Sequence, residues 1–376
     1  MFLPTTKEEM SARGWDRADV ILVSGDAYVD SPYSGVAVIG QVLVRHGFRV
    51  ALLSQPDVRD PHAFRALGEP LLFWGVSAGC VDSMVANYTA TGKRRHQDDF
   101  TPGGANTRRP DRATIAYANA IRAAFKPSKP IVLGGIEASL RRVAHYDFWS
   151  DKVRRPVICD AKADVLCYGM GERAMVQLAE AFRDGTDWRG IRGICYLAND
   201  ERRRALPEAV ELPPFAEVAA KTDAGRRAFL RAHTLFAANQ DAVTARTLVQ
   251  RVDLRWLVHN PPAPRTGQTR RRPRHPLHAR RPALHPRAGS HPRPRHDPLL
   301  GDDPPWLLRE LPLLRDHGPP GPPRGEPQRA LDPRRGRALR GAPEVPWHHR
   351  RRRRTDREHV RLRLPAQEVS RRLRRP

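Results

Sequence analysis

The chain has 376 residues, which is long enough for two domains that each bury a core. Its formal net charge of +25 is uneven, because residues 261–376 hold 30 Arg, no Lys and 11 acidic residues, a net of +19 that leaves +6 for the first 260. No stretch has the roughly 18 or more apolar residues of a membrane span, which excludes an integral membrane protein. The 4 cysteines lie far apart, which excludes a Cys-x-x-Cys site and favours a cytoplasmic protein.

Up to residue 260, short apolar runs alternate with helical patterns, which predicts an α/β fold with a doubly wound, mainly parallel, Rossmann-like sheet. The predicted strands are Val20–Val23, Arg49–Ser54, Leu71–Val76, Ile131–Leu133, Ala163–Cys167 and a segment near Thr247–Val258. The predicted helices are Val36–Arg45, a helix with Ala174, Leu178 and Phe182 on one face, and Asp223–Asn239. We expect an α/β domain over residues 1–200 and a helix and strand connection over residues 201–260.

Two polar segments follow predicted strands of this sheet. Gly25, Asp26, Tyr28 and Asp30 come directly after the first strand, where open parallel sheets bind ligands. These side chains are candidates for contact with a small-molecule substrate, although carboxylates at such positions also cap turns. The loop Tyr88–Arg112 is longer than compact domains usually carry and is either functional or disordered.

Two further candidates lie at later strand ends. Glu137 follows the double glycine after the fourth strand, where it either meets a ligand or favours the dipole of a starting helix. Gly169, Gly171 and Glu172 stand at the turn from the fifth strand into a helix. Backbone N–H groups at such a turn could bind a phosphate, but tight packing of strand on helix is the interpretation that we favour.

From residue 261 the composition changes. The last 116 residues contain no Lys, Ile, Phe, Tyr, Cys, Met or Asn, and Arg, Pro and His dominate. Frequent prolines and little large apolar surface predict disorder. Arg, Pro, Ala, Gly and His are also what a GC-rich gene encodes out of frame, so the tail is either a basic disordered arm or a frameshift product.

The shifted frame can be tested on the sequence itself. When each codon takes the last two bases of one codon and the first of the next, His296 to Pro322 can spell a segment that includes His-Arg-Gly-Cys-Phe-Gly-Asn-Cys-x-Phe-Cys. Its three cysteines fall at Leu307, Leu311 and Leu314. Three thiolates at this spacing can hold a [4Fe–4S] cluster whose fourth iron binds S-adenosylmethionine (SAM). The hidden frame therefore predicts radical SAM chemistry, and the tail as written is interpreted as a frameshift product.

The in-frame part carries a resemblance that agrees with this motif. Met1–Thr6, Val23–Asp30, the run Gly134-Gly135-Ile136-Glu137-Ala138-Ser139-Leu140-Arg141-Arg142 and His259-Asn260-Pro261-Pro262 resemble the YgiQ family of radical SAM proteins. The resemblance implies an N-terminal domain before a partial (β/α) barrel that holds the cluster and SAM, in an enzyme of unassigned substrate. The pattern of a strand, Gly169-x-Gly171-Glu172 and a helix is also similar to cobalamin-binding-like domains. The Asp-x-His-x-x-Gly signature is missing, because Asp30 is followed by Ser31 and Pro32, so cobalamin binding is not expected.

Leucine provides no metal ligand, so we expect this chain as written to bind no cluster and to perform no radical chemistry. Two other functions stay open. The chain could be a nucleic-acid-binding protein that grips phosphates through its Arg-rich tail, centred on Arg350–Arg354, non-specifically. It could also be a stand-alone nucleotide-binding module.

Overall fold

The computed structural model describes residues 2–31 and 33–264. Its strands are β1 Val20–Ser24, β2 Val50–Ser54, β3 Phe73–Ser77, β4 Ile131–Gly134, β5 His145–Asp147, β6 Lys152–Arg154, β7 Val165–Cys167, β8 Ile194–Ala198, β9 Val210–Leu212, β10 Leu248–Val252 and β11 Arg255–His259. Its helices are α1 Lys7–Ser11, α2 Gly35–Arg45, α3 Pro61–Arg65, α4 Ser83–Asn87, α5 Ala113–Ala124, α6 Gly135–Leu140, α7 Val157–Asp160, α8 Glu172–Asp184, α9 Asp200–Arg204, α10 Phe215–Val218 and α11 Asp223–Ala238. None of the helices in these two ranges is long and apolar enough to cross a membrane.

One 9-stranded sheet in the order β2-β1-β3-β4-β7-β8-β11-β10-β9 organises the described residues. Five neighbouring strands of this sheet are parallel: β2, β1, β3, β4 and β7. The direction then alternates from β7 through β8 and β11 to β10, and β9 is parallel to β10. The α/β prediction with a mainly parallel sheet is therefore confirmed. The chain order reverses at β1, which has β2 on one side and β3 on the other, so a topological switch point lies between β1 and β3.

Both faces of β1 are buried, which explains its continuous apolar sequence. Ile21 and Val23 point into a core that includes residues of α3 and α5, such as Phe64 and Tyr117. Val20 and Leu22 point into the opposite core, which includes residues of α2 and α8. The period of two along the strand thus feeds two hydrophobic layers, with the sheet between them.

The first five predicted strands are confirmed with small shifts of their ends, whereas the segment near Thr247–Val258 was wrongly predicted as one strand. It forms β10 and β11, which pair antiparallel across a turn at Asp253 and Leu254. Asp253 has a φ of 52°, a left-handed conformation that aspartate tolerates better than most residues. Strands β9, β10 and β11, which fall in residues 201–260, also belong to the main sheet.

Strand directions define the edge that matters for function. Strands β1, β3, β4 and β7 are parallel and end at one edge of the sheet, which we call the carboxyl edge. Strand β8 runs antiparallel to β7, and β11 runs antiparallel to β8, so β11 also ends at the carboxyl edge. The chain therefore passes through His259 and Asn260 at the same edge where open parallel sheets bind ligands.

Candidate functional site

The loops after β1 and β3 meet at the switch point with almost no space between them. A Cβ on Gly25 would lie 2.1 Å from the carbonyl oxygen of Ala78. Gly79 has a φ of +114°, and a Cβ there would lie 2.1 Å from the Asp26 carboxylate. Only glycine allows the two backbones to approach this closely. The predicted first-strand loop is therefore at the expected edge, packed against its neighbour.

Asp26 is the centre of a buried charge network at this point. Its Oδ1 lies 2.5 Å from Nη2 of Arg109, and its Oδ2 accepts a 2.6 Å hydrogen bond from the backbone N–H of Cys80. Nη1 of Arg109 lies 3.1 Å from Oδ2 of Asp98, and the Arg109 side chain is fully buried. Burial raises the pKa of Asp26 above its ordinary value, although Arg109 opposes that rise.

The loop Tyr88–Arg112 supplies most of this network and covers the switch point. Thr101 donates a 2.6 Å hydrogen bond to Asp98, and the side-chain amide of Gln55 donates to Thr101 at 2.7 Å and to the carbonyl of Gly25 at 2.9 Å. These contacts tie the loop to the ends of β1 and β2. The loop is thus held against the sheet by hydrogen bonds and an ion pair, and whether it has a function stays a prediction.

The Tyr28 side chain does not join Asp26. The Tyr28 hydroxyl accepts a 3.0 Å hydrogen bond from the backbone N–H of Leu3, and its ring packs in the core on the α2 side. Burial raises the pKa of Tyr28 to about 12, so its hydroxyl stays protonated at neutral pH. Asp30 is 1% exposed. The structure thus keeps Gly25 and Asp26 at the switch point and turns Tyr28 away from it.

Glu137 holds the starts of two helices. One carboxylate oxygen accepts hydrogen bonds from the N–H and hydroxyl of Ser83, at 2.8 and 2.5 Å, and the other accepts from the N–H and hydroxyl of Thr114, at 3.0 and 2.5 Å. Ser83 is the first residue of α4, and Thr114 lies in the first turn of α5. An anionic side chain at helix N-termini is stabilising. All four contacts are internal, so Glu137 positions helices in this structure.

Gly169, Gly171 and Glu172 form the turn from β7 into α8. Gly169 has a φ of +69°, and its N–H donates to the Ser139 hydroxyl at 3.3 Å. A Cβ on Gly171 would lie 3.0 Å from Sγ of Cys167, so strand and helix pack closely there. Glu172 begins α8 and adds a negative charge to the turn, which opposes the binding of a phosphate.

A further cluster at the carboxyl edge was not predicted from the sequence. The guanidinium of Arg142 lies 4.6 Å from the ring centroids of both Tyr168 and Phe236, and its Nε donates to Nε2 of His259 at 3.1 Å. The Tyr168 hydroxyl donates to the carbonyl of Asn260 at 2.5 Å. Burial lowers the pKa of His259 to about 3, so the ring is neutral and can accept from Arg142.

Residues of this cluster come from two sequence runs that are far apart in the chain. Arg142 ends the run that begins at Gly134, His259 begins the run that ends at Pro262, and 117 residues separate the two. Nothing in local periodicity indicates that they meet. The cluster fixes the direction in which the chain leaves β11, because it anchors His259 and Asn260 to the end of β7.

The described residues do not fit an iron–sulfur cluster. Cys80, Cys159, Cys167 and Cys195 are free thiols, and within residues 2–31 and 33–264 no three His, Cys, Asp or Glu side chains form a metal-holding group. Burial also raises the pKa of Cys167 to about 12, which disfavours the thiolate that a metal needs. Leu307, Leu311 and Leu314, and the Arg-rich segment Arg350–Arg354, lie outside the described residues.

Two open clefts lie at the opposite edge of the sheet, around the turn between β10 and β11. Their volumes are about 670 and 600 Å³, and Leu197, Leu254 and Arg255 line both. Neither cleft contains a candidate residue predicted from the sequence.

Comparison with known proteins gives consistent findings. The family model described as "Radical SAM N-terminal" matches residues 2–284. The chain is 53% identical over 263 residues to a UPF0313 protein of Fusobacterium nucleatum, a match that covers 70% of this chain and 45% of that protein. It is 49% identical over 271 residues to one of Thermotoga maritima, covering 71% and 46%. The chain thus spans less than half the length of these curated relatives.

Among solved structures, the chain is similar to a radical S-adenosylmethionine methyltransferase, TsrM, from Kitasatospora setae with tryptophan substrate and a SAM analog bound. The TM-score is 0.33 and the sequence identity is 23%, over 49% of this chain and 28% of that one. A likeness of this size is limited to part of the fold.

Proposed function

The chain belongs to the radical SAM N-terminal family, and from that premise we propose that residues 1–200 are the N-terminal domain of a radical SAM enzyme and that residues 201–260 connect it to a catalytic barrel. The intact enzyme would use a [4Fe–4S] cluster to cleave SAM reductively, and its small-molecule substrate is unassigned. The described domain would contribute a rigid wall beside the reaction and no group that forms or breaks a bond.

One observation carries this proposal. The chain leaves the sheet at Asn260, on the carboxyl edge, where Tyr168 donates to the Asn260 carbonyl and the Asn260 amide donates to the carbonyls of Arg189 and Ile191. A segment that follows Asn260 therefore begins at the same edge of the sheet as the switch point, with β4, β7 and β8 between β3 and β11. In doubly wound folds that edge faces the ligand.

We also propose that a frameshift near residue 260 has replaced the barrel in this chain. Three observations support it: the composition changes there, the shifted frame restores a cysteine motif, and the matched relatives are more than twice as long as the matched segment. The family match ends at residue 284, before Leu307. Without thiolates at Leu307, Leu311 and Leu314, the chain as written would be inactive in radical chemistry.

Sequencing of the gene across codons 260–270 tests the frameshift directly. A one-base correction should open a frame that runs through the three cysteine codons. An independently verified frame that stays as written would contradict the proposal.

Anaerobic reconstitution tests the chemistry. The frame-restored protein with iron, sulfide, SAM and a reductant should turn brown and release 5′-deoxyadenosine, and the chain as written should do neither. Replacing one restored cysteine by alanine is the matched control and should abolish both signals. Cluster colour and deoxyadenosine from the 376-residue chain itself would refute the assignment of inactivity.

We further propose that the protein acts in the cytoplasm and that nucleic acid binds only non-specifically, through the Arg-rich tail. Such binding should weaken steeply with salt, because it depends on phosphate contacts. A salt-resistant complex with one defined nucleic acid would instead support the nucleic-acid-binding function.

A further inference from the structure

Six exposed apolar side chains surround the carboxyl edge, and we call them the apolar collar. Each lies on a loop or short helix that follows β1, β3, β4 or β7. They are Val29, Tyr33, Val85, Phe100, Leu140 and Met170, with exposures from 36% to 57%. Isolated exposed apolar residues are ordinary, but a group of them on one edge marks an interaction site.

Hydrogen bonds and an ion pair join the collar loops into one surface. The loop after β1 meets the loop after β3 through the N–H of Ala27 and the carbonyl of Phe100, at 2.9 Å. Arg141, after β4, forms an ion pair with Asp82, after β3. The N–H of Gly169, after β7, donates to Ser139, after β4. The loops that carry the collar residues are therefore connected from β1 to β7, and the buried Tyr168, which follows β7, contacts the chain exit through the Asn260 carbonyl.

The buried charged side chains beneath the collar are paired with one another. Arg109 pairs with Asp26 and Asp98, and Arg141 pairs with Asp82. An apolar patch over satisfied charges is typical of the centre of a protein–protein or domain–domain interface.

We infer that the apolar collar is the docking surface for the polypeptide that follows Asn260 in the longer relatives. This inference deepens the proposed function, because it needs a further domain after residue 260. The matched segment is 45% to 46% of the relatives' length, so more than half of each relative is available to cover the collar. The position of Asn260 at the same edge makes the contact possible without a long linker.

A chimera can test the inference without relying on the frameshift. Residues 1–260 of this chain are joined to the remaining part of the Thermotoga maritima relative, and hydrogen exchange is compared with that of the 376-residue chain. Docking should slow exchange in the loops that carry Val85 and Met170 by about tenfold or more. Exchange at the opposite edge, around Leu254, should not change.

Substitutions then separate docking from folding. The double substitution Leu140→Asp with Met170→Asp should leave the thermal unfolding of the 376-residue chain unchanged, since both side chains are exposed. In the chimera it should remove the protection of the collar loops and split one unfolding transition into two. Leu254→Asp, at an 85% exposed position on the opposite edge, is the matched control and should do neither.

Each alternative occupant gives a different result. Collar loops that stay unprotected from exchange in a folded chimera would overturn the inference. Protection that appears only with bound nucleic acid and disappears when salt releases it would also overturn the inference. A dimer of the 376-residue chain that Met170→Asp dissociates would assign the collar to a second copy and would also overturn it. Deoxyadenosine release by the chimera is measured separately, so a chimera that protects the collar but releases none would refute the proposed chemistry while supporting docking.

Discussion

Arg109→Met should destabilise the domain strongly, because Arg109 is the cation that pairs with two buried carboxylates, Asp26 and Asp98. The Arg109 side chain is fully buried and lies 2.5 Å from Asp26 and 3.1 Å from Asp98. Methionine keeps much of the volume but leaves both carboxylates without a counter-charge. Removing one partner of a buried ion pair costs about 3–5 kcal/mol, so we expect a loss of that size in the free energy of unfolding at pH 7.

The loss should depend on pH with a defined sign. Burial raises the pKa of Asp26 above 3.8, so the folded state binds this proton more tightly than the unfolded state and stability falls as pH rises above 3.8. Arg109 lowers the pKa of Asp26, and its removal raises that pKa further. The stability difference between Arg109→Met and the original protein should therefore be smaller at pH 5 than at pH 7.

Urea unfolding at pH 5 and pH 7, followed by circular dichroism, measures both effects. Arg59→Met is the matched control, because Arg59 forms an ion pair with Asp57 with 85% of its side chain exposed and should leave the midpoint unchanged. Hydrogen exchange should also accelerate across the loop Tyr88–Arg112. Unchanged midpoints for Arg109→Met at pH 7, or a larger loss at pH 5, would refute the idea that this ion network holds the loop.

Glu137→Gln should lower the free energy of unfolding, measured with urea, by about 2 kcal/mol, because the new NH₂ group would face a backbone N–H that donates to a carboxylate oxygen in the original protein. Glu208→Gln, at an exposed position, is the control and should leave the free energy of unfolding unchanged. The pKa of His259 is lowered from 6.5 to about 3, so the original protein should lose stability as pH falls below 6.5. His259→Gln should reduce the slope of the unfolding free energy against pH by up to about 1.4 kcal/mol per pH unit. Equal slopes for the two proteins would contradict burial of a neutral ring. Gly25→Ala should lower the free energy of unfolding by about 1–3 kcal/mol, because its Cβ would lie 2.1 Å from the Ala78 carbonyl oxygen. Gly35→Ala, with open space around it, is the control and should not change the free energy of unfolding. Equal stabilities of the two variants would show that the loops can separate.

The sequence predicts the parallel half of the sheet well, because strands buried on both faces are continuous apolar runs with clear ends. Val20–Val23 and Ile131–Leu133 were predicted within one residue of β1 and β4. Strand β8, Ile194–Ala198, was not predicted, since a short apolar run gives no period that separates strand from helix. The turn at Asp253 was missed because it depends on one left-handed residue.

The candidate site was predicted at the correct edge but not with its partners. Strand order in an open sheet places Asp26 near the switch point, and this follows from its position after an apolar run. Arg109 lies 83 residues away on an irregular loop, so no local pattern indicates the pair. The orientation of Tyr28 was equally hidden, because outside regular strands the alternation of side chains no longer holds. Pairing between distant loops is decided by packing, which a single sequence does not display.

The internal pairing at the carboxyl edge limits what this domain can do in any reaction. Asp26 is held by Arg109 and Cys80, and Glu137 is held by Ser83 and Thr114. A buried carboxylate whose oxygens are occupied by internal hydrogen bonds is not presented to a substrate, so neither side chain is placed to act as a general base in this arrangement. In the proposed enzyme the reactive groups would therefore come from the chain beyond Asn260, and this edge would contribute its shape.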